Sequence, residues 1–456
     1  MTSTDDASTE VESKIKEFLI DFLKESLKIA ESNQNKLKIS DEIFPELKNG
    51  CYYRNTTRKN KNYEYFVDRI LIDEIKNLSS FQLLNMYFSE QPIKNYYHDF
   101  YFKLNQNFDD VQDLTADILK RILTYYLKLQ NNFRFEENTF NQVYKSLINF
   151  LKNFNQDEYI MPLHHFQSDL TGEPKKFGNV TLRRITDNEL RIFSGMNRNS
   201  RITDSYKTLS HVVVFLKKSS NDVINFDDAE NEFRFFINAL SLNFKGELSI
   251  STQYKNFEHP WKVFETGKKI VYTNTDNPMY FSTKRYNSML NFYHRFKKSN
   301  VESKENAFVK MAIMRFQIGL NRNESVDKII DYNTCLESLY ASGPGDLTRK
   351  ISQRGSMVLG ITEEERESVY KFLKFVYNLR SGLVHGEGVR NLKYNGKNMP
   401  IEDVSRLLEE YTRSSIKVFL KLINSYNDNE KNKKIASDID ISLINRKKYL
   451  SLKSKF

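Results

Sequence analysis

Arg380 and His385 are the two residues of this chain whose types and spacing point most directly to chemistry. They fall in Asn378–Gly388, "NLRSGLVHGEG", at the close of a well-patterned helical stretch. Upstream of them Val369, Leu373 and Val376 follow the steps of four and three that mark a helix–helix seam. Arg380 takes the next slot, before Leu383. An unpaired guanidinium is costly to bury, so in that slot it needs a carboxylate, a phosphate or a wet cleft. A histidine at a helix C-terminus is biased towards its protonated form, as a general acid requires. At about 100° per residue, two side chains five positions apart differ by about 140° on an ideal helix. Either the helix loosens at Gly382 and ends at Gly386, or a second copy of the chain completes the geometry. Two plainer readings stand beside the chemical one. Arg380 pairs with Glu337 as a structural bridge, and His385 merely meets the helix dipole.

Other chemistries find less support. The chain has two cysteines, Cys51 and Cys335, too few for a disulfide framework or a thiolate metal site. Its histidines are scattered except for His164-His165, which lie in a strand-like stretch where neighbours face opposite sides, so no metal is expected there. No HExxH or GxxxxGK[ST] occurs, and "ASGPGD" (Ala341 to Asp346) reads as a turn between helices. No cofactor is implied. The net charge of +10 permits a polyanion partner without demanding one. The polar, acidic start "MTSTDDASTE" is unlike a signal peptide, and no apolar run approaches the roughly 18 residues of a membrane span. A soluble, cytoplasmic protein is the expectation.

The elements that must position Arg380 follow from hydrophobic spacing, and they predict a mixed α and β chain that is mainly α-helical. Residues 1–157 read as an N-terminal helical region. Ile15, Phe18, Leu19, Phe22, Leu23, Leu27 and Ile29 keep close to the helical period. The basic and aromatic run Tyr52 to Phe66 reads as a solvated loop rather than a phosphate-binding surface. Residues 158–288 read as a central α+β domain. Its short β-branched segments "YIMPLHHFQ", "GNVTLRRIT", "HVVVFLKK", "GELSIST" and "KKIVYTN" are interrupted by one helix, "AENEFRFFINALSLNF". Residues 289–427 read as a helical bundle. One of its helices turns Val326, Ile329, Ile330, Leu336, Leu339 and Tyr340 inward, and another opens on a Thr362/Glu365 capping box. Residues 428–456 read as a partly ordered basic tail.

Several features in order, over about residues 300–425, resemble the Apea-like branch of the HEPN superfamily. "DKIIDYNTCLESLY" is similar to that family's glutamate-bearing helix, with Glu337 on the glutamate. "RKISQRGSMVLG" is similar to the following arginine helix, with Arg354 on the arginine. Arg366, Tyr377, Arg380, Ser381, His385 and Gly386 fall on its Arg…Tyr…Arg-Ser…His-Gly signature. Two departures stand out: Gly355 replaces a more usual alanine, and Gly382 lies inside the motif.

The resemblance implies a C-terminal HEPN bundle acting as a homodimeric, metal-independent endoribonuclease. Such an enzyme leaves 2′,3′-cyclic phosphate and 5′-OH ends. Arg380 and His385 would be its catalytic pair, with Ser381, Glu337, Tyr377 and Arg354 in support. RNA would be the partner, and the N-terminal region would take a trigger or regulator. A defence or toxin-like setting follows by analogy only. The alternatives are a non-catalytic HEPN module that binds RNA or a nucleotide, and a purely structural dimerisation domain.

Overall fold

A computed structural model describes residues 3–48, 51–89, 111–152, 156–170, 172–186, 189–190, 193, 209–218, 227–246, 248–250, 253–255, 265–266, 277–385, 392–426 and 429–455. The chain is mixed α and β and mainly helical, as its patterning predicts. Two large buried clusters organise it. One belongs to the N-terminal region, and the other runs from Tyr159 to Leu452.

The N-terminal cluster is built from α1 (Ser3–Ser32), α2 (Tyr63–Phe66), α3 (Ile72–Lys76), α4 (Ser79–Ser89), α5 (Val111–Gln130) and α6 (Glu137–Lys152). Leu19, Phe22, Leu23 and Leu27 are buried on the expected stripe of α1, with Phe18 and Ile29 packed at its edge. The basic run expected as a loop is structured instead. A strand, β2 (Cys51–Lys61), pairs antiparallel with β1 (Ile39–Lys48), and Tyr63 and Phe66 are buried at the start of the following helix. The reason lies in the partner strand. The register sets Asp41 opposite Lys59, an opposite-charge arrangement that favours cross-strand pairing.

The central sheet has the order β10-β9-β3-β7-β6-β5. Its long strands are β3 (Gln156–His164) and β7 (Leu209–Lys218), followed by β6 (Val180–Arg184) and β5 (Lys175–Phe177). The short strands are β4 (Phe166–Ser168), β8 (Ser249–Ile250), β9 (Tyr254–Lys255), β10 (Glu265–Thr266) and β11 (Met279–Phe281). Alternation decides which face meets what. Tyr159, Met161, Leu163, Val213 and Phe215 join the large core beneath α7 (Asp227–Asn243), while Ile160, Val212 and Val214 join a smaller cluster on the other face. Strand β3 ends at the buried His164, and His165 turns the chain with φ 55°. The segment "KKIVYTN" lies outside the described residues.

From Tyr286 onward the chain is nearly all helix: α8 (Tyr286–Lys298), α9 (Ala307–Leu320), α10 (Ser325–Tyr340), α11 (Leu347–Leu359), α12 (Glu363–Val384) and α13 (Ile401–Asn424). A small hairpin of β12 (Lys393–Tyr394) and β13 (Lys397–Asn398) separates the last two. Of the six residues expected to face inward on α10, Ile329, Leu336, Leu339 and Tyr340 are fully buried, and Val326 and Ile330 are half-buried. The boundary anticipated at residue 288 falls inside the large core, which is continuous from sheet to bundle.

The stretch expected as a partly ordered tail forms two helices, α14 (Lys431–Ser442) and α15 (Arg446–Lys453). They bury Ile435, Ile439 and Leu452 in the same core. Their lysines dilute the apolar periodicity, but three well-placed anchors suffice to dock them. Described helices include none long and apolar enough to cross a membrane.

Candidate active site

Helix α12 carries most of the site, and its sequence fixes its start. The Thr362 hydroxyl accepts from the Glu365 amide at 3.2 Å, and the Glu365 carboxylate accepts from the Thr362 amide at 3.2 Å. Three glutamates in the first turn suit the positive end of the helix dipole. Helices α11 and α12 cross closely at Gly355, where a Cβ would lie 2.4 Å from Leu373 Cδ1. The smaller residue therefore sets the spacing of these two helices, which gives a physical reason for glycine at that position.

The seam of α12 is buried at Val369, Leu373 and Val376 and then leaves the core. Tyr377, Arg380 and Leu383 are half-buried, and Ser381, Val384 and His385 are exposed. Gly382 does not loosen the helix. It continues through Val384, and His385 caps it, its amide donating to the Gly382 carbonyl at 3.1 Å and the Ser381 carbonyl at 3.2 Å. Gly386 lies outside the described residues. On this unbroken helix Ser381 sits one turn below His385 on the same face. Arg380 points about 140° away and lies about 7.5 Å back along the axis.

Arg380 faces Glu337 of α10. Its Nη2 lies 3.6 Å from Glu337 Oε1, and the two side chains are 27% and 22% exposed. That is an ion pair too long for a good hydrogen bond. Among the described residues, Arg380 Nε and Glu337 Oε1 are both buried without a hydrogen-bond partner. Tyr377 completes the group one turn before Arg380. Burial pushes its hydroxyl above the usual range, as do the negative charges of Glu337 and Asp346, while Arg380 opposes them. Tyr377 therefore remains a proton donor near neutral pH. Asp346, the N-cap of α11, brings the turn between α10 and α11 close to this group.

Arg354 does not offer its guanidinium to this group. It is 5% exposed. Nε and Nη2 donate to the two Asp440 oxygens at 2.7 Å each, and Nη1 donates to the Tyr340 and Ser342 carbonyls. Its support is structural: it clamps α14 onto the bundle and holds the turn that carries Asp346. Arg366 is spent in a similar way. It donates to the Ile361 carbonyl at 2.8 Å and to the Tyr449 hydroxyl at 2.9 Å, with its guanidinium over the Tyr449 ring. Sequence reasoning missed both contacts because their partners lie more than 80 residues away in the supposed tail.

Another histidine, His211, is a core residue. His211 is buried in β7 beside Ser210, and burial, followed by the charge of Arg184, lowers it to about 4. No family model, no curated protein and no solved structure matches the chain.

Proposed function

We propose that the C-terminal bundle is a HEPN-type, metal-independent endoribonuclease, active as a homodimer, with Arg380 and His385 as its reacting pair. The observation that carries the reading is the state of Arg380. It is half-buried at the point where its helix leaves the core, and among the described residues its ion pair is the 3.6 Å contact with Glu337. With Nε unsatisfied as well, a phosphate oxygen would find donors ready to turn towards it.

In the proposed reaction the RNA 2′-oxygen bonds to its own 3′-phosphorus, and the bond from that phosphorus to the 5′-oxygen breaks. The 2′-hydroxyl proton leaves to a base, and the departing 5′-oxygen takes one from an acid. Imidazole suits both transfers near neutral pH. His385 is exposed and free to reach a bound strand. Arg380 would neutralise charge on the pentacoordinate phosphate, and Ser381 would orient it. Because α12 is unbroken through Gly382, one copy presents Arg380 and His385 on different faces. A second copy across a symmetry axis would supply the complement. A toxin-like or defence role, with the N-terminal region receiving a trigger or regulator, belongs to the same proposal.

The half-buried, incompletely satisfied Arg380 also fits a second reading, in which the same end of α12 binds RNA or a nucleotide without cleaving it. Incubation of the full chain with total RNA in EDTA separates the two. Cleavage that persists and leaves cyclic phosphate and 5′-OH ends is expected. Intact RNA that is nonetheless retained by the protein would replace the ribonuclease with the binding module.

A further inference from the structure

A second, separate set of cations lies at the other end of the bundle. Helix α15 touches the start of α12 through Tyr449, whereas Arg380 lies 14 residues further on, about 21 Å along that helix. Just past α15 a cavity of about 540 Å³ opens between α8, α13 and the end of the described chain. Its cationic lining comes from Arg295, Lys417, Lys421 and Lys455, and among the described residues no carboxylate lines it.

Lys417 is the telling residue. It is half-buried on α13, and among the described residues it has neither an ion pair nor a hydrogen bond. Among the described residues, the charged groups that act on it are positive: Arg413 and Lys421 on its own helix, and Arg285 just before α8. Arg413 is already committed to Glu409 and the Ser241 carbonyl, and Arg285 to the Asn243 carbonyl. Burial, then these like charges, lower Lys417 to about 8. Like charges repel, and the partial burial of Lys417 removes some of the water that would screen them, so a counterion in this cavity would be stabilising.

The rest of the lining describes the counterion. Phe292, Phe296 and Leu420 supply an apolar surface beside the cations, and Asn243, Ser288 and Asn424 supply neutral hydrogen-bonding groups. The volume falls within the range of small-molecule sites. We propose that this cavity binds an organic phosphate, its dianionic head between Lys417 and Lys421 and its flat, uncharged body against Phe292. The site stands apart from Arg380 and does not depend on the ribonuclease reading.

Calorimetry on the full chain with inorganic phosphate, adenosine and adenosine 5′-monophosphate tests this. The monophosphate should bind, inorganic phosphate should bind at least about tenfold more weakly, and adenosine should not bind measurably. Losing one charge-assisted bond should cost about tenfold or more, so Lys417→Met should weaken the monophosphate by that factor. Lys421→Gln, at an exposed position, gives the same direction without touching the core. Affinity should also fall as pH rises through about 8, because Lys417 then loses its proton while the arginines keep theirs. Monophosphate binding that is absent, no tighter than inorganic phosphate, or unchanged in both variants would overturn the proposal.

Discussion

Arg354 and Arg380 sit on neighbouring helices of one bundle and meet opposite conditions. Arg354 is 5% exposed, with Nε and both terminal nitrogens donating to a carboxylate and two backbone carbonyls. Arg380 is 27% exposed, holds one carboxylate oxygen at 3.6 Å and leaves Nε unpaired. A guanidinium that has spent its donors on the protein can only hold the protein together. One that has kept them can receive a ligand. Both are arginines on helices of the same bundle, so residue type alone does not separate them. The separation comes from what each one already bonds to.

The largest effect should follow from breaking the saturated member. Arg354→Leu strands the Asp440 carboxylate and frees the Tyr340 and Ser342 carbonyls. Breaking a buried pair costs about 3–5 kcal/mol. Asp440 is 48% exposed and can rehydrate, which places this case near about 3 kcal/mol. Thermal melting of the full chain should then drop by about 3–5 °C, because a chain of this length has a large unfolding entropy. Arg354→Lys should recover little, because an ammonium cannot reproduce the planar fork. A melting temperature near wild type in both variants would erase the contrast between the two arginines.

The sequence made the seam and its cap legible because both are local. Val369, Leu373 and Val376 repeat within eight residues, and Thr362 meets Glu365 three positions later. The same locality exposed Arg380 as an intruder in an apolar slot. What stayed hidden depends on distant partners. Arg354 finds Asp440 across 86 positions, and β2 is a strand through its antiparallel register with β1, which no local pattern within β2 announces. The cavity at Lys417 is assembled from α7, α8, α13 and the end of the described chain, so no single stretch of sequence signals it. Docked helices masqueraded as a tail because Ile435, Ile439 and Leu452 are few among many lysines.

A smaller effect on stability should come from Arg380→Leu. The change removes the cost of a buried, unsatisfied Nε but leaves the half-buried Glu337 carboxylate without its cation, so the two contributions oppose each other. Stability should stay within about 1 kcal/mol of wild type. RNA affinity should fall by about tenfold or more, and cleavage should disappear, because the charge meets phosphate both before and during reaction. Filter binding beside a melting curve reads both. A large drop in melting temperature with RNA affinity intact would make Arg380 a second structural arginine and sharpen the Arg380–Glu337 bridge into its main role.

The smallest effect on the folded chain should come from His385→Ala, and it isolates chemistry from everything else. His385 is exposed, and among the described residues its hydrogen bonds run through its backbone amide, which alanine keeps. The melting temperature should therefore not move measurably. RNA affinity should stay within about twofold, because proton transfer matters in the transition state and little in the bound ground state. Cleavage should nevertheless be lost, since Arg380 alone can neutralise charge but cannot carry a proton. Three measurements on one variant thus separate three roles. Cleavage at the wild-type rate would refute the proton-transfer role. A lowered melting temperature would make His385 a structural cap, and lost RNA affinity would make it a phosphate contact like Arg380.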